Sequence, residues 1–320
     1  MRGCILDAGS LGPNVDLAPL LETIDDWKVW HSSRPEDVAE RIRDAELVLS
    51  NKVPLRRAEL LAAPRLRFVG VLATGTNNVD LAAARERGLV VANARDYCTE
   101  SVVQHTIGLI LALARNLESY AAAVRDGEWQ KSPFFCYFSK PIVELAGRNL
   151  TIVGLGHQGR RVAELAQCLG MRVRVARRPG TSEGPQDGQR LPLSELLPTT
   201  DVLSFHCALT PQTAGLLNKD NILTLKKGAI VINCARGGIV DEEALLLALE
   251  RGHLGGAGID VATIEPPNPE HPLLRMKDHR LIVTPHVAWA SQRARQNLIE
   301  ETVANIRAFL HDEPRNVVSD

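Results

Sequence analysis

The chain has 320 residues, enough for one large domain or two of ordinary size. Lys plus Arg number 37 against 38 for Asp plus Glu, a net charge of −1, so no global field draws it onto nucleic acid or an anionic membrane. With 45% apolar and 23% charged residues it has the composition of a folded globular protein, and its longest strongly apolar stretch, Ile107 to Ala114, falls far short of the ~20 residues that span a bilayer.

Met1-Arg2-Gly3-Cys4 runs at once into a strand-like segment without a long apolar signal region, so a cytoplasmic location is expected. Strands are predicted over Cys4–Asp7, Leu47–Ser50, Phe68–Leu72, Val90–Ala92, Leu150–Gly154, Val173–Ala176, Val202–His206, Ala229–Asn233, Ala257–Asp260 and Leu281–Thr284. Most are short, nearly continuous apolar runs, the signature of parallel strands buried on both faces. One long helix is predicted from Glu100 to about Arg125, apolar nearly all round between Ile107 and Ala114. Another covers Arg160 to Leu169, with Val162, Leu165, Ala166 and Leu169 on one face. A further helix opens on Asp241-Glu242-Glu243 and stops near Arg251-Gly252, and a last one runs from Ser291 to His311. Strands alternating with helices argue for α/β architecture, and the pattern restarts near Asn149. The expectation is two flavodoxin/Rossmann-like doubly wound domains: residues 100–289, and residues 1–99 joined by a returning C-terminal segment, 290–320.

The cysteines at 4, 98, 136, 168, 207 and 234 form no C-x-x-C pair and have no His at finger spacing. They read as reduced thiols, not as a zinc site or a disulfide framework.

The chemistry sits at the ends of the central strands. Leu150–Gly154 leads into Gly154-x-Gly156-x-x-Gly159 and then a helix, with another strand at βαβ spacing. Gly154 permits the tight turn, Gly156 lets the backbone approach a pyrophosphate, and Gly159 lets helix and strand pack closely. The helix start then offers N–H groups to phosphate. After the second strand, where an acid would hold the ribose hydroxyls of NAD, stand Arg177 and Arg178. Two guanidiniums favour the 2′-phosphate of NADP(H), with NAD(H) possible. Arg236 follows the strand ending at Asn233, Glu265 follows the one ending at Asp260, and His286 follows the one ending at Thr284. A His with a carboxylate is an acid/base pair, and an Arg beside it can fork onto a substrate carboxylate.

Gly154-x-Gly156-x-x-Gly159, Asn233-x-x-Arg236-Gly237, Asp260-x-x-x-x-Glu265 and Pro285-His286 resemble the signature set of the D-isomer-specific 2-hydroxyacid dehydrogenases. Phe134-Phe135-Cys136, Ile142-x-Glu144-Leu145 and His286-Val287-Ala288-Trp289-Ala290 are most similar to the glycerate dehydrogenase (hydroxypyruvate reductase) branch. The resemblance covers essentially the whole chain. It implies an NAD(P)-dependent oxidoreductase that reduces a small 2-oxo acid to the D-2-hydroxy acid, in a cleft between a substrate-binding and a dinucleotide-binding domain. It makes Arg236, Glu265 and His286 the catalytic set, with Ala73, Thr74, Gly75 and Arg236 holding substrate. Cofactor contacts are implied at Gly154, Gly156, His157, Gln158, Gly159, Arg177, Arg178, Cys207, Thr213, Cys234, Ala235, Asp260 and His286. It also implies a homodimer through the central domain.

The sequence departs from the pattern at the missing acid after the second strand, at Ala208 where a Pro is usual, and at Cys234 where Thr or Ser is common. Two rivals share the fold: another dehydrogenase, such as one for phosphite or formate, and a nucleotide-sensing corepressor-like protein. An intact Glu/His pair speaks against formate oxidation, which needs no proton shuttle.

Overall fold

The computed structural model describes residues 1–177 and 190–319. Two compact units make up the chain: Met1–Cys98 with Ala290–Asp320, and Thr99–Trp289.

The first unit holds a parallel sheet of β1 (Arg2–Ile5), β2 (Asp26–Val29), β3 (Leu47–Ser50), β4 (Phe68–Val71) and β5 (Val90–Asn93), in the order β2-β1-β3-β4-β5. Strand order reverses between β1 and β3, the flavodoxin-like pattern. Strands β3 and β4 are buried throughout, because helices cover both faces. The returning helix Gln292–Leu310 is capped by Ser291, whose side chain accepts from the Ala294 N–H. It packs Phe309 against Phe68, ring centroids 4.9 Å apart.

The second unit holds β6 (Asn149–Val153), β7 (Arg172–Ala176), β8 (Arg190–Leu191), β9 (Val202–Phe205), β10 (Ile230–Asn233), β11 (Gly256–Ile259) and β12 (Leu281–Val283). All pair in parallel, in the order β12-β11-β10-β9-β6-β7-β8. This is the doubly wound dinucleotide-binding order, with its switch point between β6 and β9. Strand β11 reads Gly-Ala-Gly-Ile for a packing reason. A Cβ on Gly258 or Gly256 would meet Leu109 or Leu113 of the helix Thr99–Arg115 at 3.1 and 3.0 Å, so the glycines let that helix lie close on the sheet.

Two sequence expectations need correction. The predicted helix to Arg125 is broken: Asn116 adopts a left-handed φ of +50°, and Leu117–Arg125 continues at 60° to Thr99–Arg115. Strands β2 and β8 were not anticipated, because both are short sheet-edge segments and β2 is largely exposed. Among the described residues, no single helix is long and apolar enough to cross a membrane.

Candidate active site

The second unit's chemistry lies along the carboxyl edge of its sheet, where open α/β sheets bind ligands. At the switch point the glycine turn follows β6. Gly154 has φ +99°, and a Cβ there would strike the His206 carbonyl at 2.5 Å. A Cβ on Gly159 would strike the Gly154 carbonyl at 2.0 Å, so the helix His157–Cys168 can approach β6 only with glycine there. Gly156 differs: nothing lies within 4 Å of where its Cβ would stand. Two glycines are required by the protein itself, and the one between them faces open space, as a pyrophosphate cradle requires. His157 and Gln158 open the helix, and its first turn carries no acidic residue to oppose an anion.

Past β7, Arg177 is half-buried, and its Nη2 lies 3.5 Å from the Arg190 carbonyl. Arg178 lies outside the described residues. Past β9, burial raises the thiol of Cys207 and pushes His206 down to about 4. Thr213 is buried, and its hydroxyl is absorbed by its own turn, donating to the Ala208 carbonyl at 2.7 Å and accepting from the Thr210 N–H at 2.7 Å. The hydroxyl proton that would make this side chain a cofactor donor is therefore already engaged.

Past β10, Asn233 is 2% exposed and folds the next turn around itself. Its amide donates to the Arg236 carbonyl at 2.9 Å, and its Oδ1 accepts from the Ala235 N–H at 3.1 Å. That turn sets the direction of Arg236, whose Nη1 reaches the Ala235 carbonyl at 2.6 Å. Cys234 and Ala235 form the buried floor beneath, and burial pushes the Cys234 thiol up to about 12.

Past β11 and β12 the two remaining groups meet. Glu265 Oε2 lies 2.6 Å from Nδ1 of His286, while its Oε1 accepts from the Ala262 N–H at 2.9 Å. His286 adopts a left-handed φ of +54°, rare for a residue with a side chain. Asp260 explains how that conformation is held. Its carboxylate, 1% exposed, accepts the Thr284 hydroxyl at 2.5 Å and the N–H groups of Val287 and Ala288 at 3.0 and 2.9 Å. His105 Nε2 reaches Thr284 Oγ1 at 3.0 Å; that hydroxyl gives its proton to Asp260, so the imidazole is the donor. Sequence reading placed Asp260 beside the cofactor and did not foresee its grip on the His286 loop. His105, Thr284 and Asn233 were not singled out for this work.

Within the first unit, Ala73, Thr74 and Gly75 follow β4. The Ala73 carbonyl accepts from the Ala94 N–H at 3.1 Å, and the Thr74 carbonyl from the Asn93 amide at 2.7 Å, so the loop is pinned through its carbonyls. Among the described residues no group of three or more His, Cys, Asp or Glu is arranged to hold a metal ion.

The second unit is thus a dinucleotide-binding fold that carries a His–Glu pair and an arginine at its ligand edge. Residues 107–288 match the family model for the D-isomer specific 2-hydroxyacid dehydrogenase, NAD binding domain. Glycerate dehydrogenase from Methylorubrum extorquens is 44% identical over 284 residues, 89% of this chain and 88% of that one. Hydroxypyruvate reductase from Blautia hydrogenotrophica is 39% identical, over 89% of this chain and 88% of that one. The solved structure of the NADPH-dependent glyoxylate/hydroxypyruvate reductase from Sinorhizobium meliloti, in complex with NADP and malonate, superposes with a TM-score of 0.82 at 27% identity, covering 99% of this chain and 96% of that one. The chain belongs to the D-isomer-specific 2-hydroxyacid dehydrogenases, enzymes that act on a CH–OH group.

Proposed function

We propose that this enzyme reduces a small polar 2-oxo acid, of the hydroxypyruvate or glyoxylate type, to the D-2-hydroxy acid, and that it favours NADPH over NADH. The observation that carries the chemistry is the 2.6 Å contact between His286 Nδ1 and Glu265 Oε2. When bound, the nicotinamide dinucleotide supplies the hydride. Arg236 forks onto the substrate's carboxylate and keto oxygen and stabilises the charge that develops on that oxygen. With Nδ1 of His286 tied to Glu265, Nε2 is the ring nitrogen that donates the proton. Glu265 fixes the ring's orientation and balances the charge of the imidazolium. The role of Ala73, Thr74 and Gly75, holding the substrate carboxylate by backbone N–H groups, belongs to the same reading.

For the dinucleotide, Gly154, Gly156 and Gly159 with the N–H groups of His157 and Gln158 form the phosphate cradle. The family model names an NAD binding domain, whereas the Sinorhizobium relative was solved with NADP, so the argument for NADPH is local. Arg177 stands at the end of β7 where an acid would repel a 2′-phosphate. The names of the Methylorubrum, Blautia and Sinorhizobium relatives support the substrate class.

The test is a steady-state panel of hydroxypyruvate, glyoxylate and pyruvate with each cofactor. The highest kcat/KM is expected for hydroxypyruvate or glyoxylate with NADPH; no reduction of any of the three would overturn the reading.

The reading includes a homodimer. Phe134, Phe135 and Phe138 are 73%, 92% and 80% exposed, an apolar patch that a second copy would cover. Light scattering should give twice the chain mass, and Phe135→Asp should shift it toward the single chain. A monomeric wild type would exclude the dimer.

A further inference from the structure

Next to the Glu265–His286 pair stands a second carboxylate that the reaction as described does not use. Glu242 is the first residue of the helix Glu242–Glu250, which follows the Arg236 turn. Its Oε1 accepts from Thr263 twice, from the N–H at 2.7 Å and the hydroxyl at 3.0 Å. Its Oε2 takes His271 Nε2 at 3.2 Å. The side chains of Glu242 and His271 are only 15% and 17% exposed. The buried Nδ1 of His271 has no hydrogen-bond partner among the described residues.

Thr263 belongs to the loop that delivers Glu265. That loop is gripped at its start by Glu265 itself, through the Ala262 N–H, and on its other side by Glu242. It passes directly over Gly237, where a Cβ would stand 1.9 Å from the Ala262 carbonyl. The residue after Arg236 and the residues before Glu265 therefore meet backbone to backbone, and Glu242 locks them from the next helix. Ile264, at the loop's tip, is 69% exposed, so core packing does not hold the tip, and the Glu242 grip contributes directly to where Glu265 stands. A 2.6 Å contact to the imidazole tolerates small displacements only.

We infer that Glu242 is a positioning residue for proton transfer: through Thr263 it sets Glu265 against His286 and holds both in register with Arg236. The inference rests on Glu265–His286 being the proton-transfer pair.

The experiment is steady-state kinetics with hydroxypyruvate at saturating NADPH, together with thermal melts, for Glu242→Ala, Glu242→Gln and Thr263→Val. Each is made in the wild type and in Glu265→Gln, with enzyme concentration raised for the slower forms. A displacement of about 1 Å near the chemistry costs up to roughly 100-fold, so Glu242→Ala should lower kcat about 10- to 50-fold. The KM for NADPH should move less than about twofold, because the cradle lies elsewhere on the sheet edge. Glu242→Gln should stay within about threefold of wild type, since its amide oxygen can accept both Thr263 bonds. In the Glu265→Gln background, Glu242→Ala should add less than about threefold, because the group it positions has already been altered. A folded Glu242→Ala with kcat within twofold of wild type overturns the inference, and so does an equal loss in both backgrounds. If Glu242→Ala does not fold, Thr263→Val decides, with a loss of about 3- to 10-fold expected in the wild type and little in Glu265→Gln. Full turnover by Glu265→Gln alone would remove the underlying pair, and Glu242's role with it. Loss in Glu265→Gln without loss in Glu242→Ala would remove Glu242 only.

Discussion

At the carboxyl edge of the first sheet, Asp7 is 5% exposed and takes the N–H groups of Asn51 and Lys52 at 2.9 and 2.7 Å. At the same edge of the second sheet, Asp260 is 1% exposed and takes those of Val287 and Ala288, together with the Thr284 hydroxyl. In each case a strand-end carboxylate ties down the loop of the neighbouring strand. The loops differ in what they carry. The second sheet displays side chains with reactive ends, Arg236, Glu265 and His286, and one of them sits in a left-handed backbone. On the first sheet, the Ala73–Gly75 loop has small side chains and a pinned backbone. One device thus holds two kinds of loop, Asp7 fixing only the main chain of Asn51 and Lys52 while Asp260 fixes the loop that carries the His286 ring; the Ala73–Gly75 loop is pinned separately, by Asn93 and Ala94.

The comparison first stands or falls on His286. His286→Ala should reduce turnover at least about 100-fold, while the affinity for cofactor, read by fluorescence titration, falls far less, because His286 is one contact among many to the dinucleotide. Near-normal turnover would leave the second sheet edge with no acid and the contrast without content.

The two clamps can then be set against each other. Asp7→Asn and Asp260→Asn each weaken charge-assisted bonds worth about 1.5–3 kcal/mol apiece, so both should melt several degrees lower. Only Asp260→Asn should also lower kcat, by roughly tenfold or more, because only that loop carries the acid. An equal kcat loss in Asp7→Asn would erase the distinction.

A smaller effect is expected where the second sheet meets the adenosine end of its ligand. Arg177→Asp should reverse the order of kcat/KM for NADPH and NADH, a swing of roughly tenfold, mainly through KM. Equal or better efficiency of the wild type with NADH would show that Arg177 does not read the phosphate.

The smallest effect concerns stability. Burial holds the His206 imidazole at about 4, against 6.5 in the open chain. The unfolded state therefore binds the extra proton first, and stability present above pH 6.5 is lost as pH falls toward 4. The loss should reach about 1 kcal/mol near pH 5.5 and shrink in His206→Asn. Parallel pH–melting curves for the two proteins would exclude His206 as the source.

What the sequence made legible follows the same division. Buried strands such as Leu47–Ser50 and Val202–Phe205 are nearly continuous apolar runs, each with a single serine, and could be found by pattern alone. The edge strand Asp26–Val29 could not, since an exposed edge puts no apolar demand on most of its residues. The break at Asn116 was hidden because Leu113-Ala114-Arg115-Asn116-Leu117 keeps a helical pattern through a residue that tolerates the left-handed region. In the site, the glycine turn, Arg236, Glu265 and His286 could be read because their residue types and strand-end positions are themselves the signal. The grips of Asp260 on the Ala288 loop and of Glu242 on Thr263 could not, because each joins residues 20 or more positions apart, and a single sequence carries no record of such pairing.

The buried floor beneath the Arg236 turn has a practical consequence. Burial pushes the Cys234 thiol up to about 12, which keeps it protonated and unreactive at pH 7, and shifts Cys207 in the same direction. Cys168, by contrast, ends the helix His157–Cys168 in an exposed position. With the partly exposed Cys136 changed to Ser, mild alkylation should attach a reporter dye at Cys168 and spare Cys234, which would let ligand binding be followed by fluorescence.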